Sequence, residues 1–227
     1  MRINRLLIAN RGEIALRIHR SAKELGISTI GIFSEDDSHA LHLSHVNESI
    51  SLGATGPNAY LDMANLIKIA LANKCDAIHP GYGFLSENHQ FASKVNSAGL
   101  IFIGPTENQL KLFGDKISAL KHAEELDIPV LGISEELENH KSLEGFVDKN
   151  PNLRVIVKAA GGGGGRGIRV VENSSECKQL FEQARAEAEN AFGDNRLYAE
   201  QFLKNARHIE VQIIGDGKGG ITHLWER

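Results

Sequence analysis

The chain has 227 residues, which is enough for one large or two small domains with hydrophobic cores. It is 41% hydrophobic and 24% charged, and its net charge of −4 without a basic block argues against a nucleic-acid-binding surface. No apolar stretch approaches the length of a membrane span or a secretion signal, so we expect no membrane association and a cytoplasmic protein. Cys75 and Cys177 have no metal or redox spacing and are expected to be reduced thiols.

Strands and helices alternate over residues 1–105, which predicts a doubly wound α/β domain. An apolar run at 6–9 precedes a helix that ends at Gly26, and a strand at 29–33 completes a parallel β-α-β unit. The first turn lacks the G-x-G-x-x-G fingerprint of a dinucleotide site. The apolar residues that share one face of this helix are Ile14, Ile18, Ala22 and Leu25. The further predicted strands are at 49–52, 75–78 and 100–103. Helices are predicted at 61–71, where Asp62 suits the N-terminal turn, and at 86–98, where Ser86 would be the N-cap.

Residues 34–48 are polar and carry histidines at intervals of three. His39, His42 and His45 would fall loosely on one helical face, a pattern that can bind a metal ion. No carboxylates stand in ligand register with them, so a solvated helix face is the favoured interpretation.

The second half of the chain mixes helices with short strands. Residues 106–126 are mostly helical with a break at 114–116, and further helices are predicted near 142–149 and at 177–190. Segments 197–203 and 208–214 alternate roughly between apolar and polar residues, which predicts strands with one buried face. The turn at 215–220 leads into a return strand. Because that strand runs to the last residues, we expect the chain to be the first part of a larger domain.

Five consecutive glycines, 161–165, stand between two apolar segments within residues 155–171. The pattern predicts a strand, a glycine-rich turn and a returning strand. Ordering five glycines is entropically expensive, which makes sense if their N–H groups approach a bulky anion and Lys158 adds a positive charge. Polyphosphate is the natural ligand, although a flexible hairpin tip fits this segment equally well.

Six segments together resemble the biotin carboxylase component of the biotin-dependent carboxylases. They span essentially the whole chain but only about the first half of the family's catalytic module. The segments are 8–15 (IANRGEIA), 78–88 (IHPGYGFLSEN), 102–105 (FIGP), 114–116 (GDK), 158–167 (KAAGGGGGRG) and 207–212 (RHIEVQ).

The resemblance implies an α/β fold with two parts. Residues 1–113 would form a Rossmann-like pre-ATP-grasp domain, and residues 114–227 the first part of an ATP-grasp fold whose lid covers about 131–203. It implies a ligase that carboxylates biotin with bicarbonate and ATP, through carboxyphosphate, with Mg²⁺ or Mn²⁺. Implied partners are a biotin carboxyl carrier protein, a carboxyltransferase of fatty acid or amino acid metabolism, and a second copy in a homodimer. A eukaryotic member would lie in the mitochondrial matrix, but no transit peptide is seen.

The resemblance also implies roles for individual residues. Lys116 and Lys158 would neutralise ATP phosphates, and the N–H groups of Gly164 and Gly165 would meet the phosphates as part of the lid. Tyr82 and Gly83 would border the biotin site, and Arg20 and Glu24 would lie at the dimer interface. The remaining ATP residues are Glu200, Gln201, Phe202 and Leu203 around the adenine and His208 near the ribose and phosphates, where a catalytic role is possible for His208.

The sequence departs from the family in two places, at Leu131, where a proline is usual, and at Gln201, where many members have lysine. The family's metal-binding glutamates, its bicarbonate and biotin arginines and its general base would lie beyond residue 227. Residues 1–227 alone are therefore not expected to turn over. The alternatives are a non-catalytic nucleotide-binding or dimerisation module, and another ATP-grasp carboxylate–amine ligase.

Overall fold

A parallel five-stranded sheet organises the first half of the computed structural model, which describes residues 2–161 and 167–227. The strand order is β3-β2-β1-β4-β5, and every pairing is parallel. The centre of the sheet is apolar, and Leu7, Ile30 and Ile78 are fully buried there. The strands are β1 (Arg5–Ile8), β2 (Ser28–Phe33), β3 (Glu48–Ser51), β4 (Ala77–His79) and β5 (Ile101–Phe102).

Five α-helices connect or follow these strands, which confirms the predicted α/β class. Short 3-10 turns lie at Glu35–Asp37, Leu41–Ser44 and Pro57–Leu61. None of the helices in the described ranges has the length and hydropathy of a membrane span. The helices are α1 (Gly12–Glu24), α2 (Met63–Ala72), α3 (His89–Ser97), α4 (Glu107–Gly114) and α5 (Lys116–Glu125).

The helix ends agree with the prediction at two positions and differ at one. Gly26, at φ +71°, follows the end of α1, and the Asp62 carboxylate accepts the N–H of Asn65 at 3.0 Å. Ser86 does not cap α3. The helix begins three residues later, so the Asn88 side chain takes that role and accepts the N–H of Phe91 at 2.8 Å.

The predicted solvated face for the three histidines is wrong at His42. This imidazole is fully buried, with Nε2 3.2 Å from the carbonyl oxygen of Ile32 and Nδ1 3.4 Å from the N–H of Gly12. A 3-10 turn replaces the expected helix, so the three side chains do not share a face. His39 and His45 are exposed.

A three-stranded antiparallel sheet, ordered β7-β6-β8, forms the centre of the second half. Strands β6 (Val155–Ala159) and β7 (Arg169–Val171) form the predicted hairpin around the glycine run, and β8 (Leu197–Gln201) pairs with the other edge of β6. Helices α6 (His140–Lys149) and α7 (Cys177–Phe192) cover this sheet. The predicted lid residues Gly164 and Gly165 lie outside the described residues.

The prediction of one buried face per strand is wrong for both later strands. In β8 the first four residues are all buried, because Leu197 and Ala199 pack in the core while Tyr198 and Glu200 are covered on the opposite face. Strand β9 (Val211–Gly215) pairs with β10 (Ile221–Glu226), and all residues of both strands are exposed. His208 lies before β9 rather than on it.

The chain divides into two compact units, Met1–His122 and Ala123–Arg227. Helix α5 runs across this division. The boundary between residues 113 and 114 remains a prediction about the domains.

Candidate functional site

The carboxyl ends of β1 and β4 form the first candidate site. These neighbouring strands lie where the chain changes direction across the sheet, since β1 leads toward β2 on one side and β4 toward β5 on the other. In open α/β sheets, ligands bind in the crevice at this edge. The segments that leave the two strands begin at Asn10 and at Pro80.

Asn10 joins the two segments. Its side chain is buried, and Nδ2 donates to the carbonyl oxygens of Pro80 at 2.7 Å and of Tyr82 at 2.8 Å. Its Oδ1 accepts the N–H of Arg11 at 2.8 Å. One amide therefore fixes the turn after β4 against the loop after β1.

Gly81 lets this turn approach Asn10. Its φ is +67°, and a Cβ atom there would lie 2.8 Å from Nδ2 of Asn10 and 3.0 Å from Cγ1 of Ile14. A side chain would therefore break the contact and strain the backbone. Gly83 has a similar φ of +69° but open space around it.

Tyr82 is presented to solvent beside the loop after β1. Its side chain is exposed, and its hydroxyl donates to the Glu13 carboxylate, which raises the pKa of the phenol. His79 is the last residue of β4, and burial lowers the pKa of its imidazole. Its Nδ1 accepts the N–H of Gly81 at 3.0 Å, which leaves Nε2 as the protonated nitrogen of the neutral ring.

Asp37 holds the loop after β1 through an ion pair with Arg11. Its carboxylate pairs with Arg11 at 3.0 Å and accepts the hydroxyl of Tyr60 at 2.8 Å. The same Tyr60 oxygen accepts the N–H of Ser34 at 3.1 Å. The edge of the sheet is thus held by a connected polar network that begins in the core.

The second candidate site lies in the antiparallel sheet beside the glycine run. Lys158 pairs directly with Tyr198 across β6 and β8, so Glu200 is its diagonal neighbour on the same face. The ammonium group of Lys158 forms an ion pair with the Glu200 carboxylate. The lysine side chain is 28% exposed and the glutamate side chain 11%, so the pair is largely but not wholly shielded.

The first glycine of the run, Gly161, and the glycine that follows the run, Gly167, are both closely packed. A Cβ on Gly161 would lie 2.7 Å from Oδ2 of Asp194, and one on Gly167, at φ +67°, would lie 3.2 Å from Cβ of Ala159. Asp194 is itself held by Arg196 at 2.7 Å. At Gly167 the positive φ disfavours a larger residue, whereas at Gly161 an added Cβ would displace the Asp194 side chain.

The segment after β8 continues the site. The N–H of Gln201 donates to the carbonyl of Gly132 at 3.0 Å, and that of Phe202 to the carbonyl of Arg154 at 2.7 Å. Leu203 follows with an exposed side chain, and within the described parts of the chain its N–H has no hydrogen-bond partner. In the described structure, the backbone therefore leaves the sheet with the N–H of Leu203 available as a donor.

The other predicted residues are His208, Lys116, Arg20 and Glu24. His208 is 82% exposed, with Nε2 3.4 Å from the Glu210 carboxylate. Lys116 begins α5 in the first unit, and Arg20 and Glu24 are exposed on α1. Within the described ranges, no group of three or more metal-ligating side chains comes together.

Sequence reasoning missed Asn10 and Glu13 as partners of the turn at residues 80–83, and it missed the ion pair between Lys158 and Glu200. Asn10 follows a buried strand at its carboxyl end, which is a position where a polar residue signals a site. The pairing of Lys158 with Glu200 depends on the register of β6 and β8, which the sequence does not specify.

Two family models together match nearly the entire chain. The N-terminal domain of biotin carboxylase matches residues 2–110, and the ATP binding domain of the carbamoyl-phosphate synthase L chain matches residues 115–227. The chain belongs to the biotin carboxylase family. This confirms the resemblance inferred from the six segments.

Full-length relatives of this family are considerably longer. The chain is 46% identical over 228 residues to pyruvate carboxylase of Bacillus subtilis, covering 99% of this chain and 20% of the relative. It is 43% identical over 227 residues to biotin carboxylase of Pseudomonas aeruginosa, covering 99% of this chain and 51% of the relative. The chain therefore spans about a fifth to a half of the curated relatives it matches.

Solved structures of the family have the same fold. A biotin carboxylase of Campylobacter jejuni in complex with a β,γ-ATP ligand matches with a TM-score of 0.94 and 42% identity, over 98% of this chain and 50% of that one. The biotin carboxylase domain dimer of 2-oxoglutarate carboxylase from Hydrogenobacter thermophilus, with MgADP, ADP and bicarbonate, matches with a TM-score of 0.96 and 38% identity, over 100% of this chain and 50% of that one.

Proposed function

We propose that the chain is part of an ATP-dependent ligase that carboxylates carrier-bound biotin with bicarbonate. The reaction would pass through carboxyphosphate and form the first half-reaction of a biotin-dependent carboxylase. The observation that carries the proposal is the ion pair of Lys158 with Glu200, which places a strand-borne cation next to the glycine run and against the strand that leads into residues 201–203.

The nucleotide would lie along this second site. Lys158, with Lys116, would neutralise the phosphates, and the N–H groups of Gly164 and Gly165 would donate to them. The adenine would lie against the segment from Glu200 to Leu203, where the N–H of Leu203 is available to a ring nitrogen. His208 would approach the ribose and phosphates. ATP would bring Mg²⁺ or Mn²⁺, whose ligands are not assigned to any described residue.

The biotin-binding site would lie at the carboxyl ends of β1 and β4. Tyr82 and Gly83 would border it, positioned through Asn10 and Glu13. Arg20 and Glu24 would contact a second copy of the chain. The proposed partners are a biotin carboxyl carrier protein and a carboxyltransferase, in the cytoplasm, with the domain division at residues 113 and 114.

ATP binding to the 227-residue chain tests the nucleotide site. We expect Lys158→Ala to weaken ATP binding by about tenfold or more, because a charge-assisted hydrogen bond contributes roughly 1.5–3 kcal/mol. Titration calorimetry with wild type, Lys158→Ala and the exposed-lysine control Lys178→Ala measures this. Equal affinity of wild type and Lys158→Ala would show that Lys158 does not bind phosphate.

A further inference from the structure

A cavity of 310 Å³ opens at the amino-terminal edge of the parallel sheet, opposite the edge that carries Asn10 and Tyr82. Its walls come from α1, from the first residue of β2 and from the segment before β3. This volume is at the lower end of the range for ligand pockets, so it suits a small ligand. The polar residues that line it are His19, Lys23, Ser28, His45 and Asn47.

The orientation of the His19 ring follows from its hydrogen bonds. Thr29 donates to Oδ1 of Asn47 both from its N–H, at 2.9 Å, and from its hydroxyl, at 3.2 Å. The hydroxyl oxygen is then an acceptor for Nδ1 of His19, which lies 2.7 Å away. His19 is 5% exposed, and its Nε2 has no hydrogen-bond partner among the described residues.

His45 is oriented in the same way. Its Nδ1 lies 3.1 Å from the carbonyl oxygen of Leu41, which can only accept, so Nδ1 carries a proton. Within residues 2–161 and 167–227, its Nε2 has no hydrogen-bond partner, so the lining side chains contain a second unpaired ring nitrogen. The Asn47 amide has its oxygen fixed on Thr29, which leaves Nδ2 as an uncommitted donor within the described parts of the chain.

The charged side chain that lines the cavity is Lys23, and among the described residues no carboxylate lines it. Glu48, the carboxylate next to Asn47 in the chain, is bound by Arg5 at 2.8 Å. The pKa of His19 is lowered, first by burial and then by the positive charges of Lys23 and His45. A bound anion would reverse this repulsion.

We propose that this cavity binds a small oxyanion of the phosphate type, held by Lys23, by the Nε2 atoms of protonated His19 and His45, and by Nδ2 of Asn47. A free phosphate and the phosphate group of a nucleotide present the same oxygens. None of these residues belongs to the proposed ATP or biotin sites, so the cavity is a separate site.

Calorimetric titration of the 227-residue chain with inorganic phosphate, and separately with AMP, tests the proposal. We expect saturable binding that is tighter at about pH 6 than at about pH 8, because both imidazoles must hold a proton to donate from Nε2. Lys23→Gln and His45→Gln are each expected to weaken binding by about tenfold. His39→Gln and Lys94→Gln change exposed residues of the same types elsewhere and should leave it unchanged.

Comparing AMP with inorganic phosphate identifies the source of the bound phosphate group. Equal binding of AMP and phosphate supports recognition of a nucleotide phosphate group, whereas exclusion of AMP supports free phosphate. Absence of saturable binding would overturn the proposal. So would binding of Zn²⁺ alone without phosphate, which would make the two neutral imidazoles metal ligands. Phosphate binding that disappears in Lys158→Ala belongs to the ATP site and also overturns it. Circular dichroism verifies that each variant is folded.

Discussion

At the scale of single residues, Asn10 joins the loop after β1 to the turn after β4. We expect Asn10→Ala to lower the free energy of unfolding by roughly 1–3 kcal/mol, because it leaves the carbonyls of Pro80 and Tyr82 without their donor. Asn58→Ala, at an exposed position, should change it by less than about 0.5 kcal/mol. Urea unfolding measures both. Similar losses for the two variants would contradict the anchoring role.

Gly81 and Gly83 offer a matched pair for the same turn. Both have positive φ, so alanine strains the backbone at each by about 1 kcal/mol. Only at Gly81 would the added methyl group also meet Asn10 and Ile14, which adds roughly 1–3 kcal/mol. The thermal unfolding midpoint of Gly81→Ala should therefore be well below that of Gly83→Ala. Equal midpoints would mean that the turn moves away from Asn10 without cost.

At the scale of elements, the start of α3 tests the corrected cap. Asn88→Ala should destabilise the protein by about 1 kcal/mol, since the helix loses the acceptor for the N–H of Phe91. Ser86→Ala, two residues earlier, should stay within about 0.5 kcal/mol. Chemical denaturation of both variants decides between the two residues. A larger loss at Ser86 would restore the helix start expected from the sequence.

Some of these elements could be predicted from the sequence alone, and others could not. The order of strands and helices, the Asp62 cap and the hairpin around the glycine run follow from periodicity and from turn residues. The contacts of Asn10 do not, because they join residues 70 and 72 positions apart. His42 and the buried second face of β8 were missed for the same reason. Their environment is created by tertiary packing, which local patterns do not encode.

At the scale of the whole molecule, each compact unit contains one buried cysteine. Burial raises the pKa of Cys75 and of Cys177 to about 11. The stability that comes from keeping these thiols neutral is present below their unfolded-state pKa of about 8.5 and is lost as pH rises through about 11. Wild type should therefore lose stability between about pH 8.5 and 11, and Cys75→Ala should lose less. Urea unfolding at a series of pH values measures the free energy of unfolding of both proteins. An equal loss in wild type and Cys75→Ala would contradict this.

The ion pair of Lys158 with Glu200 has a consequence for how a nucleotide would enter. The lysine is already neutralised by a resident carboxylate, so a phosphate would exchange places with Glu200 rather than meet a bare cation. Such an exchange makes the lysine selective, because only a ligand more highly charged than one carboxylate competes well for it. A dinegative or more highly charged polyphosphate satisfies this condition, whereas a singly charged metabolite does not.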